Sequence, residues 1–395
     1  MRLLMIASSF HPTTGGAETY AHVIAEGLAG RGHEVMVVTD GLRGTPAGEA
    51  VDGDPRGVTV RRLSGYRALL DDPSKVLWEQ MAFALAPEIA ACADESRPDL
   101  VFTNTLDAAL TGKWIALDRG VPWVATFHEH EPEGQPLGTA RLRVVHEVLR
   151  PSLVLACAEN YAERARRNGS ADVTRLIPHG VDTTRFRPDR DTAAVRARYG
   201  YAETDLVVVC AAQLKLRKGI LELVRAFSAV HARRPDTRLL VVGAVSSSSG
   251  DYPGRLRAEI AAHGLEDVVR IDTGVTFDLM PDVLALADVV AQPSSGEGLS
   301  LAMLEAMSSG RPLLTVDFPG IGELVREPGS AALVPSPDPG RLADALLTLV
   351  SDDALRQDMG KRAREQVLEH FTLQRMVDAT EAALLATLAG GSGRS

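Results

Sequence analysis

Short apolar segments alternate with longer segments of helical periodicity along the whole chain. The apolar segments are predicted strands, at residues 3–7, 34–39, 100–103, 123–127, 153–156, 206–211, 239–242, 289–291 and 313–316. Residues 17–31, between the first two strands, carry apolar positions at helical spacing. Alternation of this kind is typical of parallel sheets that are covered by helices on both faces. We therefore predict an α/β fold built from doubly wound parallel sheets.

The alternation is interrupted once, near Arg187 and Pro188. A polar stretch at 189–192 then leads into a second series of strands and helices. The chain has 395 residues, which is enough for two domains with a core each. We place the domains at 1–187 and 188–372. Two such Rossmann-like domains are expected to face each other across a cleft, with ligands at the carboxyl ends of the strands.

Composition and charge exclude several classes of protein. The net charge is −10 and neither half has a basic excess, which argues against a nucleic-acid binder. The three cysteines are far apart and form no CxxC motif, so we expect reduced thiols in a cytoplasmic protein and no zinc site. No apolar run reaches about 18 residues, so no membrane-spanning helix is expected. Only five of the 42 basic residues are lysines, a bias that is typical of GC-rich genomes. We therefore expect a bacterial protein.

A double glycine follows the first predicted strand. Gly15 and Gly16 open the helix that begins at Ala17, where a close backbone approach and free N–H groups suit an anion. A plain turn between a strand and a helix explains the same two residues equally well, because a double glycine is a weak signal.

A basic loop follows the strand at 206–211. Gln213, Lys215, Arg217 and Lys218 precede Gly219, so that two of the five lysines and an arginine fall within four positions. Three positive charges at the carboxyl end of a strand suit a phosphate group, although a solvated basic loop is the ordinary explanation.

The segment at 293–310 carries two glutamates in an otherwise small and apolar sequence. Glu297 lies in a Gly/Ser loop, and Glu305 lies within the helix predicted for residues 300–309, with Gly310 as its C-cap. A carboxylate accepts paired hydrogen bonds from vicinal sugar hydroxyls, which gives both residues a use. Two solvated surface glutamates fit this apolar stretch poorly.

These motifs resemble those of the retaining glycosyltransferases of family 4, which have the GT-B fold. The most specific match is the pair Glu297 and Glu305 within Glu-Gly-Leu-Ser and Leu-Glu-Ala-Met. The supporting matches are Gly15-Gly16-Ala17-Glu18, Lys218-Gly219, Ile177-Pro178-His179-Gly180-Val181-Asp182 and Asp317-Phe318-Pro319-Gly320. The matches run from residue 1 to about 372, and the resemblance implies that a last helix over about 373–388 packs back on the first domain.

The resemblance implies a role for each site residue. Glu305 is expected to hold the ribose of a nucleotide sugar and Glu297 the donor sugar. The N–H groups of Gly298, Leu299 and Ser300 are expected to meet the sugar and diphosphate, with the help of the helix dipole. Lys218 is expected to neutralise the diphosphate.

In the first domain, the resemblance implies that Gly15 and Gly16 approach the diphosphate. His128 follows the strand at 123–127 and matches the histidine that the family places beside the donor sugar. The implied reaction is a hexosyl transfer with retention, without a metal or other cofactor, from a UDP-sugar or else a GDP-sugar. A front-face route is expected, in which the leaving phosphate oxygen takes the acceptor's proton.

Two positions depart from the family pattern. Gln213 stands where the family usually has an arginine that shares the diphosphate, and Lys215 or Arg217 would have to compensate for the lost charge. His179 replaces the family's asparagine in a region that we interpret as structural.

Three functions remain open at this stage. The first is a retaining glycosyltransferase, and the second is a phosphorylase or epimerase on the same architecture. The third, favoured only by Gln213, is a catalytically weak protein that binds a sugar nucleotide. The acceptor is expected in loops around 40–75 and 128–145, where three carboxylates at 129–133 suit a cationic acceptor such as an aminocyclitol. A solvated acidic loop is the simpler explanation. We expect a soluble acceptor, such as a sugar, an aminocyclitol or a natural-product intermediate, and no membrane association.

Overall fold

The computed structural model describes residues 1–13, 15–41, 51–53, 57–63, 65, 78–128, 136–245, 250–318 and 320–391. The chain divides into two compact units, one formed by Met1–Pro178 with Gln374–Ser395 and the other by His179–Leu373. Each unit contains its own sheet, so the prediction of two α/β domains is confirmed. Among the described residues, no helix combines the length and apolar character needed to cross a bilayer.

The sheet of the first unit has eight strands in the order β3-β4-β2-β1-β5-β6-β7-β8. All neighbours are parallel except the pair β3–β4. The central strands are buried along their length because helices cover both faces. The strands are β1 Arg2–Ile6, β2 Glu34–Asp40, β3 Val51–Gly53, β4 Val58–Leu63, β5 Leu100–Thr103, β6 Trp123–Thr126, β7 Leu153–Ala156 and β8 Thr174–Leu176.

The sheet of the second unit has six parallel strands in the order β11-β10-β9-β12-β13-β14. β9 and β12 are neighbours in its centre, and the loops that follow both strands therefore leave the same edge of the sheet. The strands are β9 Leu206–Ala211, β10 Thr237–Val242, β11 Val269–Asp272, β12 Val289–Gln292, β13 Leu313–Val316 and β14 Ala332–Val334.

Helices connect most of the consecutive parallel strands. Those of the first unit are α1 Gly16–Ala29, α2 Trp78–Ser96, α3 Ala109–Arg119, α4 Pro136–Arg143 with the π-helix Val144–Leu149, α5 Glu159–Ala165 and the last helix α14 Leu373–Gly391. Those of the second unit are α6 Ala193–Tyr199, α7 Ile220–Arg233, α8 Tyr252–Ala262, α9 Met280–Leu286, α10 Leu301–Ser308, α11 Ile321–Leu324, α12 Pro339–Ser351 and α13 Asp353–His370. Short turns of other helix types lie at 166–170, 171–173 and 216–218.

The boundary between the units lies after Pro178 and not at residue 187 as predicted. The intervening segment belongs to the second unit because its backbone is bonded there. Val181 forms a parallel bridge with Thr372, and the Ser308 hydroxyl donates to the carbonyl oxygen of Phe186 at 2.7 Å. The polar stretch at 189–192 separates the two series of strands and helices in the sequence. The chain passes from the first unit to the second earlier, after Pro178.

The last helix, α14, belongs to the first unit. The Arg31 guanidinium contacts Glu381 at 2.6 Å and Asp378 at 2.5 Å, and His33 contacts Glu381 at 2.6 Å. These ion pairs join α14 to the turn between α1 and β2.

Candidate functional site

The basic loop of the second unit is held at the carboxyl end of β9 by a glycine. Gly219 follows Lys218 with a φ of +66°, and a Cβ at this position would collide with the carbonyl oxygen of Pro293. Only glycine combines this conformation with this close approach. The basic loop is therefore fixed against the loop that follows β12.

Glu297 lies between two cations of that basic loop. The Lys218 ammonium is paired with one carboxylate oxygen, and the Arg217 guanidinium lies 3.2 Å from the other. Arg217 also donates to the carbonyl oxygen of Gly296 at 3.0 Å. The side chains of Glu297 and Lys218 are only 9% and 13% exposed. Burial lowers the pKa of Lys218, and the charge of Glu297 opposes that shift.

Three backbone N–H groups precede α10. Within the described part of the chain, the N–H groups of Gly298, Leu299 and Ser300 donate to no protein acceptor. Ser300 is the extended N-cap residue, so these groups adjoin the positive end of the α10 dipole. Unsatisfied donors at the start of a helix are suited to an anion.

Glu305 lies one turn into α10 and is partly buried. Burial raises the pKa of Glu305 to about 8, and the positive charge of Arg185 opposes that rise. The Arg185 guanidinium lies 3.5 Å from the centre of the Phe277 ring and donates to the Phe277 carbonyl oxygen. Sequence analysis missed Arg185 because it precedes Glu305 by more than a hundred residues and belongs to no local motif.

His179 also contacts this site, in keeping with a structural role. Its Nδ1 lies 2.8 Å from the carbonyl oxygen of Leu299, and Leu299 itself is buried. Burial lowers the pKa of His179 to about 4, so the ring is neutral at pH 7 and donates through Nδ1. The histidine therefore supports the loop whose N–H groups precede α10.

Gln213 and Lys215 lie at the start of the basic loop. Both are partly buried, and the Lys215 N–H donates to the Gln213 carbonyl oxygen at 2.8 Å. The ion pairs that reach Glu297 come from Arg217 and Lys218. Arg217, one of the two predicted substitutes for the family's arginine, therefore contacts the glutamate.

In the first unit, the double glycine begins α1. The Thr19 N–H donates to the Gly15 carbonyl oxygen at 2.9 Å, and a Cβ at Gly15 would collide with the Glu18 carboxylate. Gly16 is exposed, and a Cβ there would meet no described atom within 4 Å. A side chain at position 15 would displace only the flexible end of Glu18, so packing does not by itself require the glycine there, and Gly16 faces open space at a helix N-terminus. Thr14, immediately before them, lies outside the described residues.

His128 lies two residues beyond β6 and contacts two other elements of the first unit. Its Nε2 lies 3.1 Å from the Asn104 side-chain oxygen, and its ring is 4.7 Å from the ring of Tyr20. Asn104 is fully buried, and its amide nitrogen donates to the Ala17 carbonyl oxygen at 2.9 Å. Asn104, which sequence analysis missed, thus connects His128 to the start of α1. The acidic segment at 129–133 lies outside the described residues.

The structure therefore collects the predicted residues into two groups, one in each unit. Lys218, Arg217, Glu297 and the N–H groups before α10 form a single cluster, and Glu305 lies one turn away. Gly15, Gly16 and His128 lie at the carboxyl ends of β1 and β6 in the other unit. The approach of the two groups to one shared ligand stays a prediction.

Comparison with protein families finds two matches that together span most of the chain. Residues 14–185 match the model described as Glycosyltransferase Family 4, and residues 191–366 match the model described as Glycosyl transferases group 1.

Two curated relatives resemble the chain over nearly its full length. The GDP-mannose-dependent alpha-(1-6)-phosphatidylinositol monomannoside mannosyltransferase of Mycobacterium tuberculosis is 30% identical, with 93% of each chain covered. The D-inositol 3-phosphate glycosyltransferase of Kineococcus radiotolerans is 31% identical, with 88% of this chain and 85% of the relative covered.

Among solved structures, Anabaena HepE in complex with UDP and glucose superposes with a TM-score of 0.80. Its identity is 23%, and 97% of this chain and 99% of that chain are covered. At that identity the likeness concerns the fold alone.

Proposed function

The chain belongs to glycosyltransferase family 4, and on that premise we propose that it transfers a hexose from a nucleoside diphosphate hexose to an acceptor hydroxyl with retention of configuration. The cluster of Lys218, Arg217 and Glu297 at the start of α10 carries this proposal. It places two cations and three unsatisfied N–H groups beside a carboxylate. A diphosphate needs the cations and N–H groups, and a sugar needs the carboxylate.

We propose that donor binding changes the ion-pair partners of Lys218, Arg217 and Glu297. In the structure, Glu297 is paired with Lys218 and Arg217. A bound diphosphate would attract both cations, and the carboxylate would then accept hydrogen bonds from hydroxyls of the donor sugar. This exchange keeps every buried charge paired, which is the condition for holding charges in a desolvated site.

The reaction needs no protein nucleophile. The bond between the anomeric carbon and the diphosphate oxygen breaks, and the leaving group takes the electron pair. The acceptor oxygen attacks the same face of that carbon, and its proton passes to the departing phosphate oxygen. Lys218 and Arg217 stabilise the negative charge that grows on the leaving group, and this supports catalysis without a metal ion.

The relatives inform the choice of substrates. The name of the Mycobacterium relative includes GDP-mannose and a phosphatidylinositol monomannoside, and that of the Kineococcus relative includes inositol 3-phosphate. We propose an acceptor that contains an inositol-type ring; the sequence named an aminocyclitol as one of several soluble acceptors and did not single out inositol. For the donor we propose GDP-mannose, with UDP-hexoses, which the sequence favoured, as the second choice.

A catalytically weak binding protein is the competing function, and Gln213 is the feature that favours it. The position of Arg217 beside Glu297 supports an active enzyme, because the site then keeps two cations.

Mass spectrometry of reaction mixtures tests the proposal. The full chain is incubated with GDP-mannose, UDP-glucose or UDP-N-acetylglucosamine, together with inositol, inositol 3-phosphate, an aminocyclitol or phosphatidylinositol in detergent. We expect a hexose adduct of an inositol-type acceptor and release of nucleoside diphosphate, both unaffected by EDTA. Tight donor binding with no transfer to any acceptor would support the competing function. Sugar 1-phosphate or an epimerised donor, formed without acceptor, would identify a phosphorylase or an epimerase.

A further inference from the structure

One face of the first unit carries large apolar side chains in solvent. Of the eleven exposed large hydrophobic side chains among the described residues, five lie on α2, α3 and the π-helix. They are Phe83, Trp114, Leu117, Val144 and Val148, with exposed fractions of 73, 47, 67, 39 and 68%. We call this surface the outer helical face.

The outer helical face is one continuous layer. The inner sides of α2, α3 and the π-helix bury residues such as Ile89, Ile115 and Val145 in one hydrophobic core against the sheet. α3 lies in the middle and packs on both neighbours. The rings of Phe83 on α2 and Trp114 on α3 lie 6.3 Å apart, so the aromatic side chains of two helices meet on the outer side.

The charges on this face are arranged with opposite signs at its two edges. α2 contains four acidic residues and no basic residue. Of its exposed acids, Asp94 and Glu95 are paired with Arg119 and Arg61, which leaves Glu88 as the exposed carboxylate of this edge that has no ion pair among the described residues. Residues 136–150, at the opposite edge, contain three arginines and a single glutamate, Glu147. Glu147 is paired within its own helix with Arg143, at 3.1 Å.

We propose that the outer helical face is the interface of a two-fold symmetric homodimer of this chain. A two-fold axis through α3 brings Glu88 of each copy to the arginines of residues 136–150 in the other copy, so the two edges are complementary in charge. Trp114 and Leu117 then lie at the centre of the interface, where aromatic residues are enriched and charged residues are depleted.

The size of the face is close to that of one side of a dimer interface. Three helices about 10 Å apart, with a shared length of about 20 Å, cover roughly 600 Å² in projection. The accessible area of a surface with protruding side chains exceeds its projection. The face therefore approaches the ~800 Å² per partner that specific interfaces bury.

Sedimentation velocity of the full chain over a series of concentrations tests the proposal. We expect a dimer for the wild type and a monomer for Trp114→Glu, with a dissociation constant at least about 100-fold higher. Leu368→Glu is the matched control, since Leu368 is 45% exposed on α13 of the other unit, and it should stay dimeric. Leu117→Lys is a second disrupting variant, and circular dichroism verifies the folding of each.

Charge reversal tests the predicted orientation of the two copies. Glu88→Arg and Arg150→Glu should each weaken the dimer, and the combined variant should recover part of its affinity. A wild type that remains monomeric, or a dimer that Trp114→Glu and Leu117→Lys leave intact, would overturn the proposal. So would a monomer that binds vesicles of phosphatidylcholine and phosphatidylglycerol through Trp114, because the occupant would then be lipid. Nucleotide binding by the monomeric variant keeps this test independent of the proposed function.

Discussion

The two units present candidate site residues in different ways. In the second unit, the residues form an ionic cluster whose members neutralise one another, with Glu297 between Lys218 and Arg217. In the first unit, Gly16 is open to solvent and His128 is held by the neutral side chains of Asn104 and Tyr20. On the proposed function, we therefore expect the second unit to supply the charges for the diphosphate and the first to supply shape and hydrogen bonds.

The replacement of Lys218 should have the largest effect, because it removes the central cation of the second unit. We expect Lys218→Ala to lower kcat by about 10²–10³-fold, since the leaving group gains charge in the transition state. Steady-state kinetics with the donor at saturation measure this. Lys361→Ala is the control, because Lys361 is 74% exposed on α13, and it should keep full activity. Unchanged turnover in Lys218→Ala would place the diphosphate elsewhere.

Glu305→Gln should weaken nucleoside diphosphate binding by about 10- to 100-fold, as expected for the loss of a charged hydrogen bond. The pKa of Glu305 is raised to about 8, so binding to the wild type should tighten as pH rises through 8 and the carboxyl ionises. The glutamine variant should lack that part of the pH dependence, since it has no proton to lose. Calorimetric titrations at several pH values measure both effects, and superimposable wild-type and variant profiles would contradict the assignment.

The same substitution should stabilise the folded protein near neutral pH. A carboxyl whose pKa is raised on folding costs stability as pH rises from its unfolded value, near 4.5, to about 8. Glu305→Gln removes that cost, and each kcal/mol recovered should raise Tm by about 2–4 °C. Thermal melts at pH 4 and pH 7.5 check this, since the gain should be confined to the higher pH. A lower Tm at pH 7.5 would mean that Glu305 supports the fold.

His128→Ala tests the contribution of the first unit to catalysis. We expect kcat to fall about tenfold while nucleoside diphosphate affinity stays unchanged, because the family resemblance places this histidine beside the donor sugar and not at the diphosphate. Asn104→Ala, which removes the hydrogen bond to His128, should have a smaller effect in the same direction. Parallel loss of nucleotide affinity in His128→Ala would show that the first unit also binds the diphosphate.

The substitutions of Arg217 and Lys215 should have the smallest effects, and they test which of the two residues supplies the second cation. Arg217→Ala should lower kcat severalfold and Lys215→Ala should not, because Arg217 is the second cation beside Glu297. Gln213→Arg should preserve or raise activity by restoring a charge. Kinetics of the three variants side by side measure this, and a larger loss in Lys215→Ala than in Arg217→Ala would reverse the assignment.

The buried strands of both sheets were predictable from sequence, whereas the polar strand β4 and several edge strands were not. β9 and β12 are almost wholly apolar because helices cover both of their faces. β4 contains two arginines between its buried positions, while β8, β11 and β14 are short edge strands with partly exposed residues. Short or polar strands at an edge are specified by pairing more than by local pattern.

Sequence could predict those contacts of the site that follow from the order of the strands in the sheet. Lys218 and Glu297 follow the neighbouring strands β9 and β12, so their contact is a consequence of the sheet order. Arg185 and Asn104 reach the site from segments remote in sequence, and no local spacing indicated them. The unit boundary was misplaced for a similar reason, because the bridge between Val181 and Thr372 is a long-range contact.

The most direct test of the central claim, that the charges of the second unit bind the diphosphate, is a calorimetric titration of GDP and UDP. It is carried out on the full-length wild type, Lys218→Ala and Lys361→Ala under identical conditions. The account predicts that the wild type and Lys361→Ala bind at least one of the nucleotides with equal affinity, and that Lys218→Ala binds it at least about tenfold more weakly. Equal affinities in all three proteins, or no binding of either nucleotide by the wild type, would contradict it.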